Sequence, residues 1–368
     1  MSVAAVTLRL VFCSIAPPSL LLRVAEEGST PQREAARRTL ELTESLRGRR
    51  VAVTAALRSR VAGQAALPPD VQGVTADTVF DAAGGGEDAL PGRRARGDGD
   101  PPSSDAAVNE AFDGAATTVA FYRELFERDS IDDRGLDLVS SVHFDQRYDN
   151  AFWTGEQMVY GDGGGGTFVA GGLTRSLDVI AHELTHGVTQ YSAALIYQGQ
   201  SGALNESFSD VFGILVKQRA RGIDAASANW LIGEGVLEPS LGGALRNMIA
   251  PGTAFAGDDQ PADMDGYVDL PIDDDPRHDG GGVHVNSGIP NRAFAEAARA
   301  IGGNAWEAAG AIWYETLRGR LRADADFATA AAATIAVAGE RFGEGSSQQQ
   351  AVRGGWDAVK VAPTPDPS

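Results

Sequence analysis

The chain has 368 residues, 43% apolar and 22% charged, the balance of a soluble globular protein with room for two or three compact units. A net charge of -19 argues against nucleic acid or an anionic membrane as the main partner. The single cysteine, Cys13, excludes an intramolecular disulfide framework and a cysteine-ligated zinc ribbon. The charge is unevenly placed: residues 1–60 carry +5, with ten Arg and no Asp, and the remainder carries -24.

In chain order, the apolar stretch Val3 to Leu22 is interrupted by Arg9 and by Pro17-Pro18. It falls short of the roughly 18–20 uncharged residues of a membrane span. It also lacks the basic start and small-residue cleavage site of a secretory leader. Residues 31–47 read as a helix begun by Thr30 and Pro31. Gly84 to Ser104 is rich in Gly, Pro, Asp and Arg and reads as an exposed loop. From Asp105 to Arg128, Val108, Phe112, Ala115, Val119, Tyr122 and Phe126 step by three or four and predict one amphipathic helix.

Leu136 to Phe144 and Met158 to Tyr160 predict strands, and the glycine-rich run 161–166 predicts no regular structure. From Leu177 onward helices are expected at 177–190, 203–220, 287–302, 304–321, 324–339 and 347–359. The chain is therefore of the α+β class, β-rich in the middle and helical in its last half, with the join near residue 180.

The strongest chemical signal is His182-Glu183-Leu184-Thr185-His186. On a helix, positions four apart share a face, so both imidazoles can reach one zinc ion. Glu183 between them can take a proton from a metal-bound water. Chance would supply this pattern roughly 0.003 times in a chain of this composition, so coincidence is a weak competitor. A catalytic zinc needs a third protein ligand and leaves its fourth position for water. Glu206 is the candidate, with Asp210 four residues on, where a carboxylate can hold the second nitrogen of a ligand histidine.

Three segments carry a resemblance: His182 to Tyr197, Ser201 to Ser207, and Gly281-Gly282-Val283-His284-Val285-Asn286-Ser287-Gly288. Together with Asp149 to Trp153 and Gln157 to Gly163, they closely resemble the thermolysin-like neutral zinc endopeptidases. The likeness runs from about residue 77 to 359. It implies a two-domain metalloprotease, with a β-rich unit at 51–180, a mainly α-helical unit at 181–368 and the zinc helix between them.

The resemblance implies that His182, His186 and Glu206 bind one zinc ion, with Asp210 behind His182. Glu183 would be the general base. His284 and Tyr197 would donate to the oxyanion, and Asp279 would orient His284 and favour its charge. Asn150 and Ala151 would align the substrate backbone, and Arg246 would hold a carbonyl on the leaving-group side. Phe168, Val179, Ile232 and Leu245 would line an apolar pocket, implying cleavage before Leu, Phe, Ile or Val. Protein or peptide substrates are the partners implied, and nucleic acid and a membrane span are not.

Two departures from the longer family members stand out. Lys217, Asn229 and Leu231 fall where three groups of a double calcium site would be, leaving Asp178 and Glu234, so that site is expected to be absent. The acidic stretch Asp258–Asp275 reads as a solvated loop. Cys13 to Leu21, with its Pro-Pro, resembles the short propeptide of protealysin-like members. Residues 1–50 are accordingly expected to be an inhibitory propeptide, its basic charge suited to an acidic body. Cys13 lies in that arm; a thiolate there would suit zinc's fourth position, and a small buried residue is the plainer reading. The family is largely secreted, which makes an extracellular location the expectation without a readable signal peptide, with the cytoplasm as alternative.

Overall fold

The computed structural model describes residues 13–61 and 77–364, with the helical backbone alone for 47–61. The arm contributes a two-residue strand, β1 (Cys13–Ser14), and two helices, α1 (Pro18–Glu27) and α2 (Thr30–Val61). Pro18 opens α1, where a missing N–H costs nothing. Next come strands β2 (Asp77–Asp81) and β3 (Arg93–Gly97), helix α3 (Ala106–Phe126), and strands β4 (Leu138–Val142), β5 (Ala151–Trp153) and β6 (Met158–Tyr160). They form one six-stranded sheet in the order β1-β5-β6-β4-β2-β3. β2, β4 and β6 run parallel; β3, β5 and β1 pair antiparallel to their neighbours.

The helical half follows: a one-turn helix α4 (Gly172–Arg175), then α5 (Leu177–Gln190), α6 (Gly199–Arg221), the small hairpin of β7 (Leu231–Ile232) and β8 (Arg246–Asn247), and α7 (Asp279–Asn286) through α8 (Gly288–Ile301), α9 (Ala308–Gly319), α10 (Phe327–Phe342) and α11 (Ser347–Ala358). α5 lies between the halves, touching α3 and β5 on one side and α6 on the other. α3 begins where the Asp105 carboxylate accepts from the Ala107 N–H. Its expected stripe faces inward, with Val108, Ala115, Val119 and Tyr122 buried. Among the described residues no helix is long and apolar enough to cross a membrane.

The structure corrects the reading of Gly84–Ser104 as loop. Arg93–Gly97 pairs with β2 as the outer strand of the sheet. An edge strand with one face in water needs no apolar alternation, and its arginines also discourage further pairing. The helix expected at 304–321 starts at Ala308, because Asn304 to Glu307 closes a turn, with the Glu307 N–H on the Asn304 carbonyl. Within 258–275 the carboxylates of Asp263 and Asp275 cap short 3-10 turns at Met264–Gly266 and Pro276–His278.

Asp77, the first residue of β2, is buried with neither carboxyl oxygen hydrogen-bonded. Burial, and then the charge of Asp98, push its pKa up to about 8. Asp77 thus keeps its proton in the folded chain over a range where the unfolded chain has lost it. Its contribution to stability therefore declines as pH rises from about 4 to about 8. We expect the melting temperature to fall less across this range in Asp77→Asn than in wild type. Parallel curves would remove Asp77 as the source.

Candidate active site

α5 carries His182, Glu183 and His186, and α6 carries Glu206 and Asp210. The two helices approach closely because position 213 has no side chain. A Cβ on Gly213 would lie 2.7 Å from the Asp178 carbonyl oxygen and 3.4 Å from His182. All five side chains are buried.

Each histidine is fixed through its Nδ1. His182 Nδ1 donates to Asp210 Oδ1 at 2.8 Å, and His186 Nδ1 donates to Asn205 Oδ1 at 2.8 Å. The Nε2 atoms therefore present lone pairs, and they lie 3.0 Å apart. The Glu206 carboxylate is 3.5 Å from His182 Nε2 and 3.4 Å from His186 Nε2, and its Oε2 has no hydrogen-bond partner. Two lone pairs and a buried carboxylate converging on one point fit a cation and little else. Burial holds the His186 pKa down to about 3, so that ring stays neutral and able to ligate. Among the described residues His182, His186 and Glu206 form the one such cluster.

Asp210 is the anchor behind the cluster. Besides His182 it accepts from Arg246 Nε and Nη2, both at 2.7 Å, and from Asn291 Nδ2 at 2.8 Å. Burial favours protonation, but Arg246 and then His182 outweigh it and hold Asp210 well below the usual carboxylate range. Glu183 Oε2 accepts from the Trp153 N–H at 3.0 Å, and Oε1 has no partner. Burial, reinforced by Glu206, pushes the Glu183 carboxyl well above its usual range.

His284 comes from α7, whose first turn is not helical. Gly280, Gly281 and Gly282 take φ of 59°, 91° and 76°, a left-handed run open to glycine. At Gly281 a Cβ would also meet the Gly199 backbone at 3.0 Å. The run turns the chain so that His284 Nδ1 donates to Asp279 Oδ1 at 2.6 Å. Burial opposes charge on His284, but Asp279 and then Glu206 outweigh it and raise the pKa to about 9. The Tyr197 hydroxyl donates to Glu206 and lies 3.2 Å from His284 Nε2.

The arm runs through the same place. Cys13 and Ser14 pair with Trp153 and Phe152. His284 Nε2 donates to the Ser14 carbonyl at 3.0 Å, and Arg246 Nη1 donates to the Ile15 carbonyl at 3.1 Å. The Ile15 N–H donates to the Ala151 carbonyl at 3.2 Å, and the Ala16 N–H to Asn150 Oδ1 at 3.1 Å. Phe168, Val179, Ile232 and Leu245 are all buried in the same apolar cluster as Ile15. The Cys13 side chain sits with Tyr197 and Val283 and is not one of the metal-cluster residues.

Sequence reasoning missed three supports: Asn205 on His186, Asn291 on Asp210, and the Trp153 N–H on Glu183. The adjacency of Asn205 to Glu206 was the available signal for the first.

Residues 94–190 match the thermolysin metallopeptidase catalytic domain, and residues 193–361 match its alpha-helical domain. An extracellular metalloprotease of Pectobacterium carotovorum subsp. carotovorum is 43% identical over 95% of this chain and 96% of its own. Protease PrtS of Photorhabdus sp. (strain Az29) is 39% identical over 94% of this chain and 91% of its own. The solved precursor of protealysin, a metalloproteinase from Serratia proteamaculans, superposes with a TM-score of 0.81. It is 43% identical and covers 95% of this chain and 100% of its own. With two family domains matched over most of the chain, and with identity and fold shared over nearly the full length with these proteases, this chain is a metalloprotease belonging to the thermolysin metallopeptidase family.

Proposed function

We propose that the chain is a zinc endopeptidase made as a proenzyme, cutting before bulky apolar residues. One observation carries this reading: the chain's own residues Ser14–Ala16 lie along β5 with carbonyls on His284 and Arg246 and N–H groups on Ala151 and Asn150. Backbone groups recognised in this way are what an endopeptidase must hold. His182, His186 and Glu206 would hold zinc, which supplies a Lewis acid and an acidified water when bound. Glu183 takes the water proton and passes it to the leaving amine. His284, kept charged by Asp279, and Tyr197 aim donors at the developing oxyanion. Asn150 and Ala151 align the substrate strand, and Arg246 holds the carbonyl after the cut bond.

The arm fits an inhibitory propeptide because it is tied to both sides of the cleft. On the sheet side, Gln32 Nε2 donates to the Gly166 carbonyl, Arg38 pairs with Asp145 at 2.6 Å, and Thr43 Oγ1 meets the Tyr148 hydroxyl at 3.0 Å. On the helical side, Arg23 donates to the Ala256 carbonyl. Relatives named extracellular support secretion as the destination. The double calcium site is replaced, in this reading, by Lys217. Its ammonium donates to Asp178 Oδ2 at 2.9 Å and to the Leu231 carbonyl at 3.0 Å, with Glu234 at 4.0 Å.

Casein hydrolysis by the matured protein should fall about 10²–10⁴-fold in Glu183→Ala and stop when a chelator strips the wild type. Equal activity in both proteins would reject the mechanism. A peptide library should be cut before Leu, Phe, Ile and Val, with broad tolerance among them, since each buried methylene contributes only about 1 kcal/mol. Cuts mainly before charged residues would reject the pocket. A calcium-selective chelator should leave the melting temperature unchanged, whereas Lys217→Ala, by leaving the buried Asp178 carboxylate without its counter-charge, should destabilise the fold by about 3–5 kcal/mol.

A further inference from the structure

The seated arm gives the cleft a direction. The Ser14 carbonyl meets His284 and the Ile15 carbonyl meets Arg246, so Ile15 holds the place of the residue after the cut bond, with Ala16 and Pro17 next. Pro17 and Ser19 line a small cavity with Phe255, Asp258, Asp259 and Gln260. Asp258 shapes this loop: its carboxylate accepts from the Ala254 N–H at 3.0 Å and from the Gln260 N–H at 3.2 Å. Gln260 is only 8% exposed. Its Nε2 donates to the His284 carbonyl at 2.7 Å and to Ser287 Oγ at 3.0 Å, and its Oε1 has no hydrogen-bond partner. A buried acceptor left unmatched is costly, and one beside a carboxylate is met best by a donor with positive charge.

We propose that Asp259 and Gln260 form a specificity subsite for a lysine or arginine side chain on the third residue after the cut bond, the place that Pro17 holds in the seated arm. This rests on the endopeptidase reading above and adds a charged determinant, two residues further along the substrate, to the apolar one at the first.

The arm's own side chains leave this subsite half satisfied. The Pro17 ring carries no donor, and the Ser19 hydroxyl donates to Asp259 Oδ1 at 3.4 Å, which leaves Gln260 Oε1 unmatched. An ammonium with three N–H groups, or a guanidinium with five, can serve both acceptors at once. The reach is sufficient. Ser19 follows Pro17 by two residues, at most roughly 7 Å of chain. A lysine or arginine stem rooted at the place of Pro17 can bridge that span along the apolar wall of Phe255, with its charged head at the carboxylate. The arm also brings a cation to the same loop, since the Arg23 guanidinium donates to the Ala256 carbonyl.

The test uses the matured, zinc-loaded protein and end-blocked fluorogenic peptides that differ at one position. Each has Leu after the cut bond and Lys, Arg, norleucine or Glu two residues further on. The kcat/KM for the Lys and Arg peptides should exceed that for norleucine by about 3–10-fold, with Glu lowest, and the advantage should shrink in high salt. Asp259→Asn should bring the ratio of Lys to norleucine close to one. Asp259→Arg should reverse the order of Lys and Glu, an inversion that a general loss of folding does not produce. Equal rates for Lys and norleucine in wild type overturn the subsite, while cleavage before Leu keeps the endopeptidase reading. A Lys preference that survives Asp259→Asn overturns the assignment to this loop. If the zinc-loaded protein cuts neither these peptides nor casein, both readings fall.

Discussion

One buried carboxylate holds the molecule's centre in register. Asp210 on α6 receives four hydrogen bonds, from His182 on α5, from both arms of the Arg246 fork on β8, and from Asn291 on α8. A carboxylate taken out of water is tolerable only when every lone pair is matched, so these elements have little freedom relative to one another. The same contact fixes which nitrogen of His182 carries the proton and where the Arg246 guanidinium points. The orientation of His182 and that of the guanidinium on the Ile15 carbonyl are thereby set by a single group.

The second constraint is the open edge of β5. A strand edge presents unpaired N–H and C=O groups, which are hazardous if left bare and useful if a peptide is the ligand. Here the chain covers that edge with its own β1, and α1 and α2 extend the cover to both sides. In the proposed reading, inhibition and substrate recognition use the same row of backbone groups. Among the described residues one ion pair, Arg38 with Asp145, joins the arm to the body. Among the described residues the arm is seated by buried apolar side chains and backbone hydrogen bonds together with that ion pair.

Much of this was legible in the sequence where a period exists to be read. α5 runs over the expected 177–190, and α3 buries the stripe that its spacing marks. His182 and His186 were visible because four residues make about one helical turn. β5 has three residues and β1 two, too short to display alternation, and β3 is an arginine-rich edge. Asn291 and the Trp153 N–H left no trace because one amide far along the chain, or a main-chain donor, belongs to no pattern. Gly281 and Gly282 were read as part of a motif; the physical role they share with Gly280, turning the chain so that His284 meets Asp279, needed dihedral angles.

Lys217 has a consequence beyond its pairing. A bound ion stabilises a fold by mass action, to a degree set by its free concentration. An ammonium on a four-carbon tether is always delivered, because folding itself brings it to Asp178 and the Leu231 carbonyl. The join between α5, α6 and the β7 strand is thus neutralised by a charge the ribosome supplies. In the proposed reading, where this ammonium stands in place of a calcium site, that part of the protein draws its counter-charge from its own chain and not from divalent cations of the medium.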